Sequence, residues 1–121
     1  MQVPVDIRFE GLDPSDFVTK RIQEEVAKLE QFFDKIISCH VVVQLPHKHH
    51  QHGNLYGVKI YLALPGGKTI TVDRLHSDNQ AHEDVYVAIR DAFRAARRQL
   101  QDVVRKWQAK AKPREPAGGG L

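Results

Sequence analysis

The feature that most constrains the fold is a long amphipathic segment, residues 84–110. At about 100° per residue, its apolar side chains fall on one side of a helix, namely Val85, Ile89, Ala92, Phe93, Ala96, Leu100, Val103 and Trp107. The nearly opposite side carries five arginines, called here the arginine face: Arg90, Arg94, Arg97, Arg98 and Arg105. Because a helix with one apolar side must bury that side against another layer, the sequence predicts a layered domain with the arginine face in solvent.

The remaining elements follow from the spacing of apolar residues. Alternation with a period of two predicts four strands, each with one buried face, at residues 3–10, 37–45, 56–64 and 68–74. Helical spacing between Val18 and Phe33 predicts a first helix, with Asp13 as its capping residue and Pro14 at its first helical position. The Pro-Gly-Gly sequence at residues 65–67 is predicted to join the last two strands as an antiparallel hairpin.

The order of these elements, β-α-β-β-β-α, predicts the fold class. The simplest way to bury every apolar face is an α+β two-layer sandwich, in which two helices cover one face of a four-stranded, mainly antiparallel sheet. We expect residues 1–110 to form a single domain and residues 111–121, rich in Pro and Gly, to be disordered. The lone Cys39 lies in an apolar alternating run and is expected to be a buried structural thiol.

Basic residues are concentrated at the C-terminal end of the chain. Residues 1–89 contain nine basic and twelve acidic residues, a net charge of −3, whereas residues 90–121 contain nine and three, a net charge of +6. This asymmetry favours a nucleic-acid partner over a membrane, because the apolar side of the long helix is typical of core packing and not of a lipid-facing helix. The sequence has neither a signal-peptide pattern nor an apolar run of membrane length, so we expect a cytoplasmic protein.

The arginine face has two interpretations, a solvated surface that maintains solubility or a phosphate-binding surface. Guanidinium groups match phosphate geometry bidentately and few acids accompany them here, which favours phosphate. RNA is favoured over DNA, because an α+β sandwich lacks a separate recognition helix for the major groove. No pair of aromatic residues interleaves with the basic residues, so stacking on single strands is not favoured.

Two other segments contain residue types that metal and catalytic sites use. The segment 47–52 holds four histidines, but it resembles a mobile hairpin loop. A native metal site is therefore disfavoured against adventitious metal binding or a solvated or RNA-facing loop. His76, Ser77 and Asp78 are consecutive and cannot meet as a catalytic triad. We expect no enzymatic activity, no cofactor and no small-molecule substrate.

Three groups of residues form a more specific pattern. They are Lys28, Leu29, Glu30, Gln31, Phe32, Phe33, Asp34 and Ile36; then Pro65, Gly66 and Gly67; then Asp84, Tyr86, Ala88 and Ile89, followed by Arg98, Gln99 and Leu100. In this combination residues 1–110 resemble the ribosome hibernation promoting factor family, also called ribosome-associated inhibitors or sigma-54 modulation proteins. The resemblance implies a fold similar to a double-stranded-RNA-binding domain.

The resemblance also implies a function. Proteins of this family bind the small ribosomal subunit in the channel used by messenger and transfer RNA, and they silence translation under stress. The partner implied for this chain is therefore the small subunit and its ribosomal RNA, which the domain would block sterically. The candidate RNA-binding residues are Arg90, Arg94, Arg97, Arg98, Arg105, Lys106 and Lys28.

The chain departs from the family pattern in two respects. Many members have lysines in the regions where this chain has Ala95, Asp102 and Val104, although the charge is restored at neighbouring positions by Arg94, Arg97, Arg105 and Lys106. The chain also ends without the C-terminal domain through which long members pair ribosomes, so it resembles a short form and we do not expect it to pair ribosomes directly. Two alternatives remain open: a general double-stranded-RNA-binding module, and a protein-interaction module, related to sigma-54-dependent transcription, whose basic face docks an acidic protein.

Overall fold

A single four-stranded sheet and two helices make up most of the structure. The computed structural model describes residues 3–45, 48–49, 53–54, 56–73 and 84–111. In chain order the elements are β1 (Val5–Glu10), α1 (Asp16–Phe32), β2 (Ser38–Gln44), β3 (Lys48–His49), β4 (Gly53–Asn54), β5 (Gly57–Ala63), a 3-10 turn (Pro65–Gly67), β6 (Thr69–Asp73) and α2 (Val85–Ala111). The four longer strands form a sheet in the order β1-β2-β5-β6, and β3 and β4 form a separate two-stranded ladder.

The sheet contains one parallel pair of strands. β1 runs parallel to β2, with Val5 opposite Cys39, because α1 returns the chain to the end of the sheet from which β1 started. β5 is antiparallel to β2, and β6 is antiparallel to β5. Between β5 and β6 the Leu64 N–H donates to the Lys68 carbonyl oxygen at 2.8 Å, which confirms the predicted hairpin.

The core lies between the helices and one face of the sheet. Buried side chains of the sheet are Cys39, Val41, Val43, Val58, Ile60, Leu62, Ile70 and Val72. Buried side chains of the helices are Val18, Ile22, Val26 and Leu29 of α1, with Ala88, Ile89, Ala92, Phe93, Ala95, Ala96 and Leu100 of α2. The predicted α+β two-layer sandwich, with its order β-α-β-β-β-α, is therefore confirmed.

The apolar side predicted for α2 is also confirmed. Val85, Val103 and Trp107 are half-buried against the core, and the other predicted residues are fully buried. Ala88 and Ala95 are buried as well, although the sequence pattern did not include them. The helix extends through Ala111, the first residue of the segment expected to be disordered. The rest of that segment, and the His76, Ser77 and Asp78 run, lie outside the described residues.

α2 also touches the last strand of the sheet. The Gln99 side-chain amide donates to the Thr71 carbonyl oxygen at 3.4 Å. Gln99 belongs to the Arg-Gln-Leu run that contributed to the family resemblance. In this structure its side chain is therefore engaged within the domain.

Cys39 is a structural residue, as expected. Its side chain has no exposed surface, and burial raises the pKa of the Cys39 thiol to about 12. The thiol therefore remains protonated at neutral pH, which makes it a poor nucleophile.

Two details of the sequence prediction are wrong. α1 begins at Asp16, and its N-cap is Ser15, whose Oγ accepts a hydrogen bond from the Val18 N–H at 3.3 Å. Asp13 and Ser15 are both good capping residues, so residue type alone could not choose between them. Ile37 was assigned to the buried face of the second strand, but β2 begins one residue later and Ile37 is 55% exposed.

Candidate nucleic-acid interface

A groove between α1 and α2 gathers most of the predicted phosphate-binding residues. It has a volume of about 290 Å³ and is called here the interhelical groove. Its lining residues are Arg21, Glu25, Lys28 and Leu29 of α1, with Arg90, Phe93, Arg94 and Arg97 of α2. Leu29 and Phe93 are buried core residues, and the charged side chains stand above them.

The spacing of residues along the two helices explains this gathering. On α1, Arg21, Glu25 and Lys28 are separated by four and three residues, so they share one side of the helix. On α2, Arg90, Arg94 and Arg97 repeat the same spacing. Because α1 packs against α2, the two rows border one groove. The groove therefore results from two separate helical patterns, of which the sequence prediction used mainly the one on α2.

The groove is strongly positive. Among the described residues that line it, five are basic and one is acidic, so these side chains have a net charge of +4. The carboxylate, Glu25, is only 12% exposed and accepts hydrogen bonds from Arg21 Nε at 3.3 Å and Lys28 Nζ at 3.5 Å. Glu25 thus holds two cations at the border of the groove while leaving an excess of positive charge for an external anion.

Two arginines also contact aromatic rings across the helix pair. The Arg21 guanidinium carbon lies 5.9 Å from the centre of the Tyr86 ring on α2. In the opposite direction, the Arg97 guanidinium carbon lies 5.3 Å from the centre of the Phe32 ring on α1. Cation-π contacts of this kind restrain the guanidinium plane while its N–H edges stay available to an anion. The two helices therefore hold each other's arginines in position.

The other predicted residues lie elsewhere on α2. Arg98 and Arg105 are exposed and do not line the interhelical groove, and Arg105 Nη1 is 3.3 Å from Asp102 Oδ1. Lys106 lies at a second concavity near the C-terminal end of α2. The structure therefore divides the seven predicted residues into three groups. Lys28, Arg90, Arg94 and Arg97 line the groove, Arg98 and Arg105 lie on the outer surface of α2, and Lys106 lines the second concavity.

Arg21 lines the groove but is not among the seven residues that the sequence predicts to bind RNA. Its position four residues before Glu25 and seven before Lys28 is visible in the sequence. That spacing could have indicated Arg21, but only together with the knowledge that this side of α1 faces α2.

The second concavity is called here the C-terminal cleft, and it has a volume of about 1020 Å³. Phe33 and Trp107 lie in its wall with ring centres 5.8 Å apart and planes inclined by 49°. Its full lining is Phe33, Lys35, Pro65, Gly66, Gly67, Lys68, Val103, Lys106, Trp107, Ala109 and Lys110. An aromatic pair and basic residues therefore do meet in the folded chain, although no such interleaving is visible in the sequence.

Neither a cluster of metal ligands nor a helix that could span a membrane occurs among the described residues. Among the described residues, no group of three or more His, Cys, Asp or Glu side chains could hold a metal ion. The side chains of the histidine-rich segment 47–52 lie outside that part, so the structure does not test the metal hypothesis there. None of the described helices is both long enough and apolar enough to cross a membrane.

Comparisons with known proteins give one family and one fold. Residues 5–108 match the family model described as Sigma 54 modulation protein / S30EA ribosomal protein. The fold is similar to the crystal structure of the Thermus thermophilus Protein Y N-terminal domain, with 20% identity, a TM-score of 0.64, and coverage of 85% of this chain and 99% of that one. A ribosomal subunit interface protein from Coxiella burnetii is also similar, with 17% identity, a TM-score of 0.66, and coverage of 88% and 99%.

At these identities the two structures support the fold alone. A search of curated proteins found no match.

Proposed function

Because the chain belongs to the Sigma 54 modulation protein / S30EA ribosomal protein family, a family of ribosome-associated factors and not a known class of enzymes, we propose that it inhibits translation by binding the small ribosomal subunit. In this proposal the domain occupies the channel used by messenger and transfer RNA when cells are under stress. The block is steric and requires no chemical step. The ribosome also gives the protein a cytoplasmic site of action.

The interhelical groove is the observation that supports this proposal most directly. Arg90, Arg94 and Arg97 on α2 face Arg21 and Lys28 on α1 across a groove of net charge +4. Such a concavity suits the phosphates of a folded RNA, because two rows of cations can hold a backbone from both sides. The aromatic contacts of Arg21 and Arg97 restrain both guanidinium groups before binding, which lowers the entropic cost of ordering them.

The outer surface of α2 would enlarge the contact beyond the groove. Arg98 and Arg105 are exposed there, the latter with 74% of its side-chain surface in solvent. Phosphate contacts position a protein on RNA without reading its sequence. Selectivity for the small subunit would then come from the match between the domain and the shape of the RNA channel.

The proposal is tested by sedimentation of the purified protein with small subunits, large subunits and an RNA duplex at near-physiological salt. We expect the protein to pellet with small subunits, and the folded Arg94→Glu/Arg97→Glu variant to bind at least about tenfold more weakly. The matched control is Arg8→Glu/Lys59→Glu, which reverses the same number of charges on residues of β1 and β5 that line neither concavity. Circular dichroism would check that each variant is folded.

The same experiment separates the two alternatives. Equal pelleting with small subunits and with the RNA duplex would contradict selectivity and favour a general double-stranded-RNA-binding module. If the Arg94→Glu/Arg97→Glu variant bound small subunits as tightly as the unmodified protein, the interhelical groove would not be part of the binding interface. Absence of ribosome binding would overturn the proposal and favour a protein-interaction role.

A further inference from the structure

The C-terminal cleft combines two features that the interhelical groove does not have. One wall is apolar and aromatic, formed by Phe33, Val103 and Trp107, which are only partly buried. Among the described lining residues four are lysines, Lys35, Lys68, Lys106 and Lys110, called here the lysine rim, and none is acidic. The C-terminal cleft therefore combines a partly exposed apolar and aromatic wall with described lysines whose net charge is +4.

The four lysines come from three separate parts of the chain. Lys35 follows α1, Lys68 follows the 3-10 turn, and Lys106 and Lys110 lie four residues apart on α2. These parts of the chain are brought together by tertiary packing and not by the periodicity of a single helix or strand. Like charges repel one another, so placing these four ammonium groups around one cleft, with no carboxylate among its described lining residues, has an electrostatic cost that an anionic ligand would relieve.

The two glycines that line the cleft leave room for a ligand close to the backbone. Gly66 and Gly67 have positive φ angles of 78° and 75°. A Cβ atom built on either glycine would have nothing within 4 Å. The cleft volume of about 1020 Å³ lies at the upper end of the range for sites that hold small organic molecules. It is therefore large enough for a planar base together with its sugar and adjacent phosphates.

From this combination we infer that the C-terminal cleft binds an unpaired nucleotide of a single-stranded RNA, with the base against Trp107 and the flanking phosphates on the lysine rim. Aromatic stacking and ammonium-phosphate contacts are the two interactions by which proteins hold single strands without reading their sequence. The inference deepens the proposed function, on which it rests for the choice of RNA as the nucleic acid. It assigns Lys106 to a single-stranded segment and the interhelical groove to folded RNA.

An acidic peptide is the competing occupant, and the aromatic wall argues against it. The carboxylates of such a peptide would neutralise the lysines, but they would not cover the solvent-exposed surfaces of the Phe33 and Trp107 rings. A nucleotide satisfies the rim and the rings together. The experiment therefore has to separate the contribution of the base from that of the charge.

Trp107 provides a direct probe, because it is the single tryptophan of the chain. The full-length protein would be titrated with a short single-stranded oligoadenylate while tryptophan fluorescence is recorded. Parallel titrations would use adenosine monophosphate, inorganic polyphosphate and an oligoglutamate peptide. We expect the oligoadenylate to quench Trp107 and to bind more tightly than the mononucleotide, because several phosphates reach the rim only when they belong to a strand.

Two variants test the site itself. Lys68→Glu/Lys110→Glu should weaken oligoadenylate binding by roughly tenfold or more, whereas the Arg8→Glu/Lys59→Glu control should bind normally. Trp107→Phe keeps a ring beside Phe33 and should weaken binding of a fluorescently labelled oligoadenylate, measured by polarisation. This second measurement does not depend on tryptophan fluorescence, and the conservative replacement guards against loss of folding.

Several outcomes would overturn the inference. Lack of oligoadenylate binding would do so, as would equal binding by polyphosphate or oligoglutamate, which would make the cleft a general anion site. If adenosine monophosphate bound as tightly as the oligoadenylate, the ligand of the cleft would be a free nucleotide and not an RNA strand, and the inference would be wrong. Because oligoadenylate contains no ribosomal structure, failure here combined with normal small-subunit binding would overturn only the cleft assignment. Oligoadenylate binding without small-subunit binding would overturn only the proposed function.

Discussion

Among single residues, Gly11 is under the tightest steric constraint. It follows β1 with a φ of 81°, and a Cβ atom built there would lie 2.4 Å from the Leu45 carbonyl oxygen. We expect Gly11→Ala to lower the free energy of unfolding by about 1–3 kcal/mol. The methyl group meets backbone and not a side chain that could rotate away, and the positive φ adds a further cost. Urea denaturation followed by circular dichroism would measure the change.

Gly66→Ala is the matched control for this prediction. Gly66 has a similar φ of 78°, but a Cβ atom there would meet nothing within 4 Å. Its replacement should therefore cost only the conformational part, about 1 kcal/mol. Equal losses at the two glycines would show that the close approach to Leu45 has no energetic consequence.

Asp6 gives a prediction about pH. Its side-chain hydrogen bond with His40, and then the one with Arg8, lower the pKa of Asp6 below its ordinary value of 3.8. Because the folded-state pKa is the lower one, this contribution to stability is complete above the ordinary value and is lost as the pH falls through the lowered value. Since Asp6 is exposed, the contribution is small. NMR titration of the Asp6 carboxyl carbon should give a midpoint below 3.8.

The His40→Ala variant is the control for that titration. It removes the contact between His40 Nδ1 and Asp6 Oδ2, which are 3.3 Å apart. We expect the Asp6 midpoint to rise in the variant, although Arg8 keeps part of the effect. An identical midpoint in both proteins would be inconsistent with a hydrogen bond from His40.

Among the elements, the N-terminus of α1 offers a direct comparison of two capping residues. In the structure the Ser15 hydroxyl caps the helix, whereas the sequence pattern favoured Asp13. We expect Ser15→Ala to lower the free energy of unfolding by about 1 kcal/mol, because the Val18 N–H loses its partner. Asp13→Ala should change it by no more than about 0.5 kcal/mol. The reverse order of effects in urea denaturation would favour Asp13 as the cap.

The approximate extent of the two helices and the four longer strands could be predicted from the sequence because burial repeats with a simple period. α2 has the clearest repeat, and its predicted bounds differ from the observed ones by a single residue at each end. The parallel pairing of β1 with β2 could not be predicted in the same way. Period-two alternation reports which face of a strand is buried, but it contains no information about the direction of the neighbouring strand.

The candidate site was only partly predictable, because periodicity shows which side of an element is exposed but not how that element lies against its neighbours. Helical periodicity placed the arginines of α2 on the exposed side, as observed. It could not show that Arg90, Arg94 and Arg97 face Arg21 and Lys28, because that depends on how α1 lies against α2. The contact between the rings of Phe33 and Trp107 likewise involves residues that are far apart in the sequence. Contacts between elements, and not the elements themselves, were the part that the sequence left undetermined.

For the whole molecule, the proposed binding to the small subunit should depend steeply on salt. Each phosphate that the protein neutralises contributes roughly −0.7 to −0.9 to the slope of log K against log salt concentration. The Arg94→Glu/Arg97→Glu variant should therefore reduce the magnitude of the slope by about 2. Binding would be measured by sedimentation across a series of potassium chloride concentrations.

The control for the salt dependence is again Arg8→Glu/Lys59→Glu. These residues lie on β1 and β5 and line neither the interhelical groove nor the C-terminal cleft, so the slope should stay as in the unmodified protein. A slope that changes equally in both variants would mean that net charge, and not the groove, governs binding.

The contact between Gln99 and Thr71 has a consequence for the behaviour of many copies together. β6 is the last strand of its sheet, and an uncovered edge strand is a template on which a strand of another molecule can add, the first step of aggregation. Here the Gln99 amide already occupies the Thr71 carbonyl oxygen. A strand arriving from a second copy would have to displace that amide, so we expect the contact to disfavour growth of the sheet from one molecule into the next in concentrated protein.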